Sequence, residues 1–114
     1  MQHANDLDFS YRAVLKSDDS GRVTSLIAYQ VLDDRPLRAV IWDAQHREWI
    51  SAPELAAPLL YDERNGDRVQ IIDRVEAEAI ARQSLSTEIP DTEALAAISD
   101  EGERMGWDFG PPRQ

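Results

Sequence analysis

The sequence predicts an α+β fold: an antiparallel sheet of four to five strands with two or three helices packed on one face. Two observations carry this. From Phe9 to Ile50 apolar residues recur mostly with period two between clusters of turn residues, the pattern of half-buried strands. From Ser51 onward the spacing becomes three and four, with helix-start and helix-stop residues at its edges. Between the two regimes lies 35–51, RPLRAVIWDAQHREWIS, which holds Trp42 and Trp49, two of the three tryptophans. The chain of 114 residues has the length of one domain. That domain is expected over 9–107, between a flexible N-terminus at 1–8 and a flexible tail at 108–114.

In order, Phe9, Tyr11, Ala13 and Leu15 share one face against Ser10 and Arg12, which makes a first strand. Residues 16–21, KSDDSG, are a turn cluster in which Gly21 supplies positive φ. Residues 22–32 form a second strand, with Val23, Ile27, Tyr29 and Val31 on one face and Leu26, Ala28 and Leu32 on the other. Apolar residues on both faces place it centrally in the sheet. After the turn at 33–36, Pro36 opens a third strand where no donor is needed. Leu37, Ala39 and Ile41 there alternate with Arg38, Val40 and Trp42. Residues 43–48 are a loop and Trp49-Ile50 a short fourth strand, so that the two indoles meet across a hairpin.

Ser51 is placed to cap a helix, with Glu54 three residues later and Pro53 in its first turn. Leu55, Leu59 and Leu60 give that helix an apolar side, and Pro58 limits it to about two turns by removing one hydrogen bond. A polar loop at 61–67 carries an Asn65-Gly66 turn signal. Residues 68–72 form a fifth strand, with Val69 and Ile71 opposite Ile72. Asp73 and Glu76 have capping-box spacing, and the helix they start runs to Ser84 with Val75, Ala79 and Ile80 inward and Glu76, Arg82 and Gln83 outward. A linker at 85–90 leads to the last helix at 91–105, which carries Leu95, Ile98 and Met105. Gly106 and Trp107 suit the positions just past its end.

The charge is −10, from 22 acidic and 12 basic residues. A phosphate backbone needs a basic surface, so no nucleic acid is expected as partner. Between Asp73 and Arg104 nine acids face three arginines, a net of −6, which argues against a DNA-binding helix pair there. No cysteine is present, which removes disulfides and thiolate chemistry and fits a reducing compartment. No stretch reaches the ~20 apolar residues of a membrane helix, and the acidic start lacks the apolar core of a secretion signal. No membrane and a cytoplasmic location are therefore expected.

No nucleotide, zinc or nucleophile motif occurs. The triplet Asp108-Phe109-Gly110 has no kinase context, and the loop at 61–67 lacks calcium-loop spacing because Tyr61 stands where an acid is required. His3 and His46 alone make no metal site, and no cofactor or metal is expected. Asp43 and His46 share a loop where the pair could act as a base, although a loop pair is more often solvated.

The expectation is a non-enzymatic protein that binds a basic partner: a bacterial immunity protein or antitoxin that neutralises a cognate toxin through complementary charge. Two candidate patches follow. One is Trp42, Asp43, His46, Glu48 and Trp49 on the hairpin, where aromatics beside charge suit a binding anchor. The other is Asp91, Glu93, Asp100, Glu101 and Glu103 on the last helix. The plainer reading makes the tryptophans core residues and the acids a solvated helix face. The alternative function is a small enzyme or ligand-binding domain, with a pocket between sheet and helices using Tyr11, Tyr29, Trp42 and His46. A subunit of a larger assembly is the third, if a strand edge or helix face is left uncovered.

Overall fold

A computed structural model describes residues 9–16, 20–32 and 34–112. The expected flexible terminus at 1–8, the middle of the first turn and the last two tail residues lie outside them. Five antiparallel strands form one sheet: β1 (Ser10–Leu15), β2 (Val23–Gln30), β3 (Arg38–Asp43), β4 (Glu48–Ser51) and β5 (Val69–Ile72). Their spatial order is β4-β3-β2-β1-β5, which puts β2 in the centre, as its two apolar faces require. Register pairs Tyr11 with Ala28, Ile27 with Ile41, and Trp42 with Trp49. A bulge between Val14 and Leu15 ends regular pairing near the first turn, and Gly21 there has φ +72°.

Three α-helices complete the fold: α1 (Pro53–Tyr61), α2 (Arg74–Ser84) and α3 (Thr92–Met105). Two of them, α2 and α3, pack on one face of the sheet over Tyr11, Ala13, Leu26, Ala28, Val40, Trp42 and Ile72. The third, α1, lies on the opposite face, where Ala56 meets Val14, Ile27, Ala39, Ile41 and Ile50. The result is a three-layer arrangement around a sheet buried on both sides at its centre.

The helix ends explain their own positions. Asp73 and Glu76 close a reciprocal capping box at the start of α2. Asp91 accepts from the Ala94 amide at 2.8 Å and caps α3. Gly106, at φ +72°, ends α3, and the Trp107 amide reaches back to the Gly102 carbonyl at 2.9 Å. At α1 the cap differs from expectation. Ser51 is the last residue of β4, the position before the helix is Ala52, and no side chain caps it. The Glu54 amide is instead taken by the Asp108 carbonyl at 2.9 Å. The segment after α3 therefore runs back across the α1 face, where Gly110 lies against Ile50. The polar loop expected at 61–67 is wound into a 3-10 helix, Glu63–Arg68, capped by Asp62.

One inward assignment changes, and on the last helix one of the spaced apolar residues is not buried. Val75 is 73% exposed, and the buried line of α2 is Ala77 and Ala81. Met105 is 56% exposed, and the buried line of α3 is Leu95, Ser99 and Gly102. In both helices small residues let the backbone approach the sheet closely, so bulk was the wrong guide to direction.

Candidate functional site

The β3–β4 hairpin brings its two tryptophans together as the register demands. Their ring centroids are 5.2 Å apart with planes tilted by 55°, a favoured aromatic geometry. Trp42 is 5% exposed and belongs to the core under α2 and α3. The Arg47 guanidinium covers its ring at 5.6 Å. Trp49 is half-buried, and its indole donates to the Glu88 carbonyl at 3.1 Å. Arg47 donates to the Ser86 carbonyl at 3.0 Å. The hairpin is thus tied to the α2–α3 linker, and what it offers to a partner is Arg47 and the edge of Trp49 rather than two exposed indoles.

At the hairpin tip Asp43 accepts from the Gln45 and His46 amides, and its second oxygen lies 2.8 Å from His46 Nδ1. Burial pushes the Asp43 carboxyl up, but the hydrogen bonds and charge of His46, with the Gln45 amide, outweigh it and hold the group below its ordinary value. The pair closes the turn on itself through these contacts. Glu48 stands opposite Asp43 in register.

The acids of α3 divide by direction. Glu93 and Glu101 are exposed on the outward side, with Glu101 3.8 Å from Arg104. Asp91 is the cap. Asp100 and Glu103 turn toward the sheet edge and hold Arg38, whose Nη1 is 3.0 Å from Asp100 and 3.1 Å from Glu103, while Nη2 donates to the Ala96 carbonyl at 3.2 Å. Arg38 is only 5% exposed, against 62% and 36% for its two acids. At 1.5 Å per residue the strip from Asp91 to Glu103 is about 18 Å long.

Beside this cluster lies a cavity of about 280 Å³, between the start of β3, the end of β4 and the last turns of α3. Its floor is made by the buried Arg38, Ser51, Ser99 and Gly102, and its rim by the exposed Pro36, Glu103, Gly106 and Asp108. Leu37, Pro53 and Trp107 supply apolar wall. Two side-chain atoms of these residues lie beneath the cavity surface, out of reach of solvent, and have no protein partner: Arg38 Nε and Ser99 Oγ. Gly102 sits so close to β4 that a Cβ there would fall on the Ser51 side chain.

Of the four residues expected to line a pocket, Tyr11 and Tyr29 do share a shallow hollow at the β1–β5 end, with hydroxyls bonded to Arg74 at 2.9 Å and Arg12 at 3.1 Å. Trp42 and His46 are not part of it. Sequence reasoning missed Arg38, Ser51, Ser99 and Gly102. Arg38 did carry a signal, as the one charged residue on the strand face that also holds Val40 and Trp42. Among the described residues, no cluster of His, Cys, Asp and Glu suits a metal ion, and no helix is long and apolar enough to cross a membrane. Comparison of the chain with protein-family models, curated proteins and solved structures finds no match.

Proposed function

We propose that this is a non-catalytic acidic module that binds a basic protein, of the immunity-protein or antitoxin kind, acting in the bacterial cytoplasm to neutralise a cognate toxin. The observation that supports this most is the outward face of α3. Glu93 and Glu101 are free of the acid–Arg38 cluster, lie on a rigid capped helix, and belong to a region with nine acids against three arginines. Such a surface accelerates encounter with a positively charged partner and disfavours acidic competitors. Trp49 and Arg47, fixed to the linker that leads into α3, supply an aromatic and cationic contact near the other end of the same strip.

The test is capture of partners by the tagged protein from its native lysate at low and high salt, in parallel with Glu93→Lys/Glu101→Lys. Support would be one basic protein held at low salt, released by high salt and lost with the reversed variant, whose expression alone arrests growth that co-expression relieves. Retention that ignores the charge reversal refutes the reading. A second reading, a ligand-binding domain or small enzyme, is favoured by one observation, the cavity of about 280 Å³ between β3, β4 and α3. It would work there and not at the tyrosines and His46, and ligand-induced stabilisation with no protein partner would support it.

A further inference from the structure

We propose that α1 is the contact between two copies of this chain. Its uncovered side packs antiparallel against the same side of a second copy, about a two-fold axis near Pro58, and Glu54 of each copy meets Arg64 of the other. The inference goes beyond the binding reading above and does not depend on it, because α1 lies across the sheet from α3 and such a dimer leaves Glu93 and Glu101 free.

The helix carries more apolar surface than its own sheet covers. Its sequence, PELAAPLLY, holds a single charge, Glu54. A helix apolar on all sides belongs in an interior, yet α1 has the sheet on one side only. Ala56 is buried there, with Leu59 and Leu60 half-buried beside it. Away from the sheet, Leu55, Pro58 and Tyr61 are exposed at spacings of three, and Tyr61 is 61% exposed. Phe109, 65% exposed, follows the Asp108 carbonyl that takes the Glu54 amide, so it extends the apolar surface at the start of the helix. Single exposed apolar residues are ordinary, but a contiguous set marks an interaction surface.

Charge decides what covers it. An anionic membrane repels a chain of −10 and attracts helices with a basic polar face, which α1 lacks. A basic protein finds one carboxylate on this helix and many on α3. A second copy matches end to end. Packed antiparallel about Pro58, Leu55 faces Tyr61 of the other copy, and Phe109 lies toward the same ring. Glu54 then reaches the far end of the other helix, where Arg64 is almost fully exposed. The tie of Arg64 to Asp62 uses Nε and Nη2 and leaves Nη1 for a second carboxylate. Every contact occurs twice, as an isologous interface requires. With ~200 Å² for a whole aromatic side chain, Tyr61 and Phe109 expose about 250 Å² between them. The full face is roughly 500 Å² per copy, or about 1,000 Å² in total, the lower bound of a specific interface and short of the ~1,600 Å² of a tight one. The dimer is therefore weak, with a Kd on the order of 100 μM.

Sedimentation velocity of the full chain, from about tenfold below that Kd to about tenfold above it, reads the association. Expected is a reversible monomer–dimer equilibrium with no larger species. Tyr61→Asp should weaken it about tenfold or more and leave the unfolding midpoint in place, since Tyr61 belongs to neither core cluster. Glu54→Arg and Arg64→Glu each set like charges together at both ends and should each weaken it severalfold. The exchange Glu54→Arg/Arg64→Glu should recover most of that loss, a result that only an antiparallel meeting of the two positions produces. Ile71→Asp, a change at an exposed apolar residue on β5, should leave the equilibrium unchanged. A chain that stays monomeric over the whole range would overturn the proposal, as would growth past the dimer. So would a dimer indifferent to Tyr61→Asp, one that Ile71→Asp abolishes, or an exchange no better than its single changes.

Discussion

Removing the acids that hold Arg38 should damage the protein more than removing Arg38 itself. The guanidinium is 5% exposed and bonded to Glu103 at 3.1 Å and Asp100 at 3.0 Å, whereas those carboxylates are 36% and 62% exposed. In Asp100→Asn/Glu103→Gln the cation stays buried and loses both counter-charges, with only neutral oxygens as acceptors. Breaking a buried pair in this sense costs about 3–5 kcal/mol. The retained amide oxygens bring the expectation down to about 3 kcal/mol. In Arg38→Met the buried charge is gone and the stem volume is roughly kept. Asp100 and Glu103 rotate into water, and the Ala96 carbonyl keeps its helical donor four residues on. The unpartnered Nε disappears as well. The loss should be about 1 kcal/mol or less. Urea unfolding followed by tryptophan fluorescence reads both, because Trp42 lies in the core on the same strand as Arg38. Burial also predicts that the double variant's deficit changes little with added salt. Equal losses, or the larger loss in Arg38→Met, would refute the view of Arg38 as a buried cation held by its acids.

Three further perturbations test other parts of the structure. Gly102→Ala places a methyl on the Ser51 side chain, so its helix-propensity gain of up to ~1 kcal/mol should be outweighed by overpacking of about 1–3 kcal/mol; thermal unfolding should fall by several degrees and recover in Gly102→Ala/Ser51→Gly. Asp73→Ala removes one side of the α2 capping box and should cost about 1 kcal/mol in chemical unfolding, whereas no cap is lost on changing Ala52 before α1. For Asp43→Asn the sign follows from a folded-state carboxyl held below its ordinary value of 3.8. Its stabilisation is present above that value and lost as pH falls through the lowered one. The stability gap between wild type and variant should be about 0.5–1 kcal/mol while the carboxylate is ionised and close once acid has protonated it; a gap that persists in acid well below the ordinary carboxyl value would contradict it.

Much of this architecture was legible because local chemistry and tertiary demand agree. Alternation in 9–15 and 37–42 named the strand faces correctly, and the two-sided apolar pattern of β2 placed it centrally. Two helices, α2 and α3, share one face as expected, while α1 covers the opposite one. Capping at Asp73 and Gly106 is chemistry within a few residues, so spacing revealed it, whereas Asp91, expected inside the last helix, is its cap. Errors arose where distant contacts decide. Val75 looked inward because it is large and apolar, but the near approach of α2 to β1 and β2 selects Ala77 and Ala81 instead. Ser51 had cap spacing, yet pairing with Val40 keeps it in β4 and Asp108 satisfies the helix end. The cavity was invisible for the same reason: Arg38, Ser51, Ser99 and Gly102 come from three elements and carry no joint signal in one dimension.

The division among the α3 acids bears on how its function can be tested at all. A net of −6 over 73–104 reads as one negative field, but the carboxylates behind it do different jobs. Asp91 caps, Asp100 and Glu103 neutralise a buried arginine, and Glu93 and Glu101 remain on the surface. Reversing the charge of the whole strip would therefore mix unfolding with lost recognition, and weak binding by such a variant would say nothing about a partner. Glu93 and Glu101 separate the two effects, because reversing them leaves the Arg38 cluster and the helix cap in place. If association slows and its salt dependence flattens with those two alone while the unfolding midpoint holds, the outward face of α3 is a recognition surface. If the rate is unchanged, the acidity of α3 serves the fold and solubility, and recognition has to be sought at the hairpin end around Arg47 and Trp49.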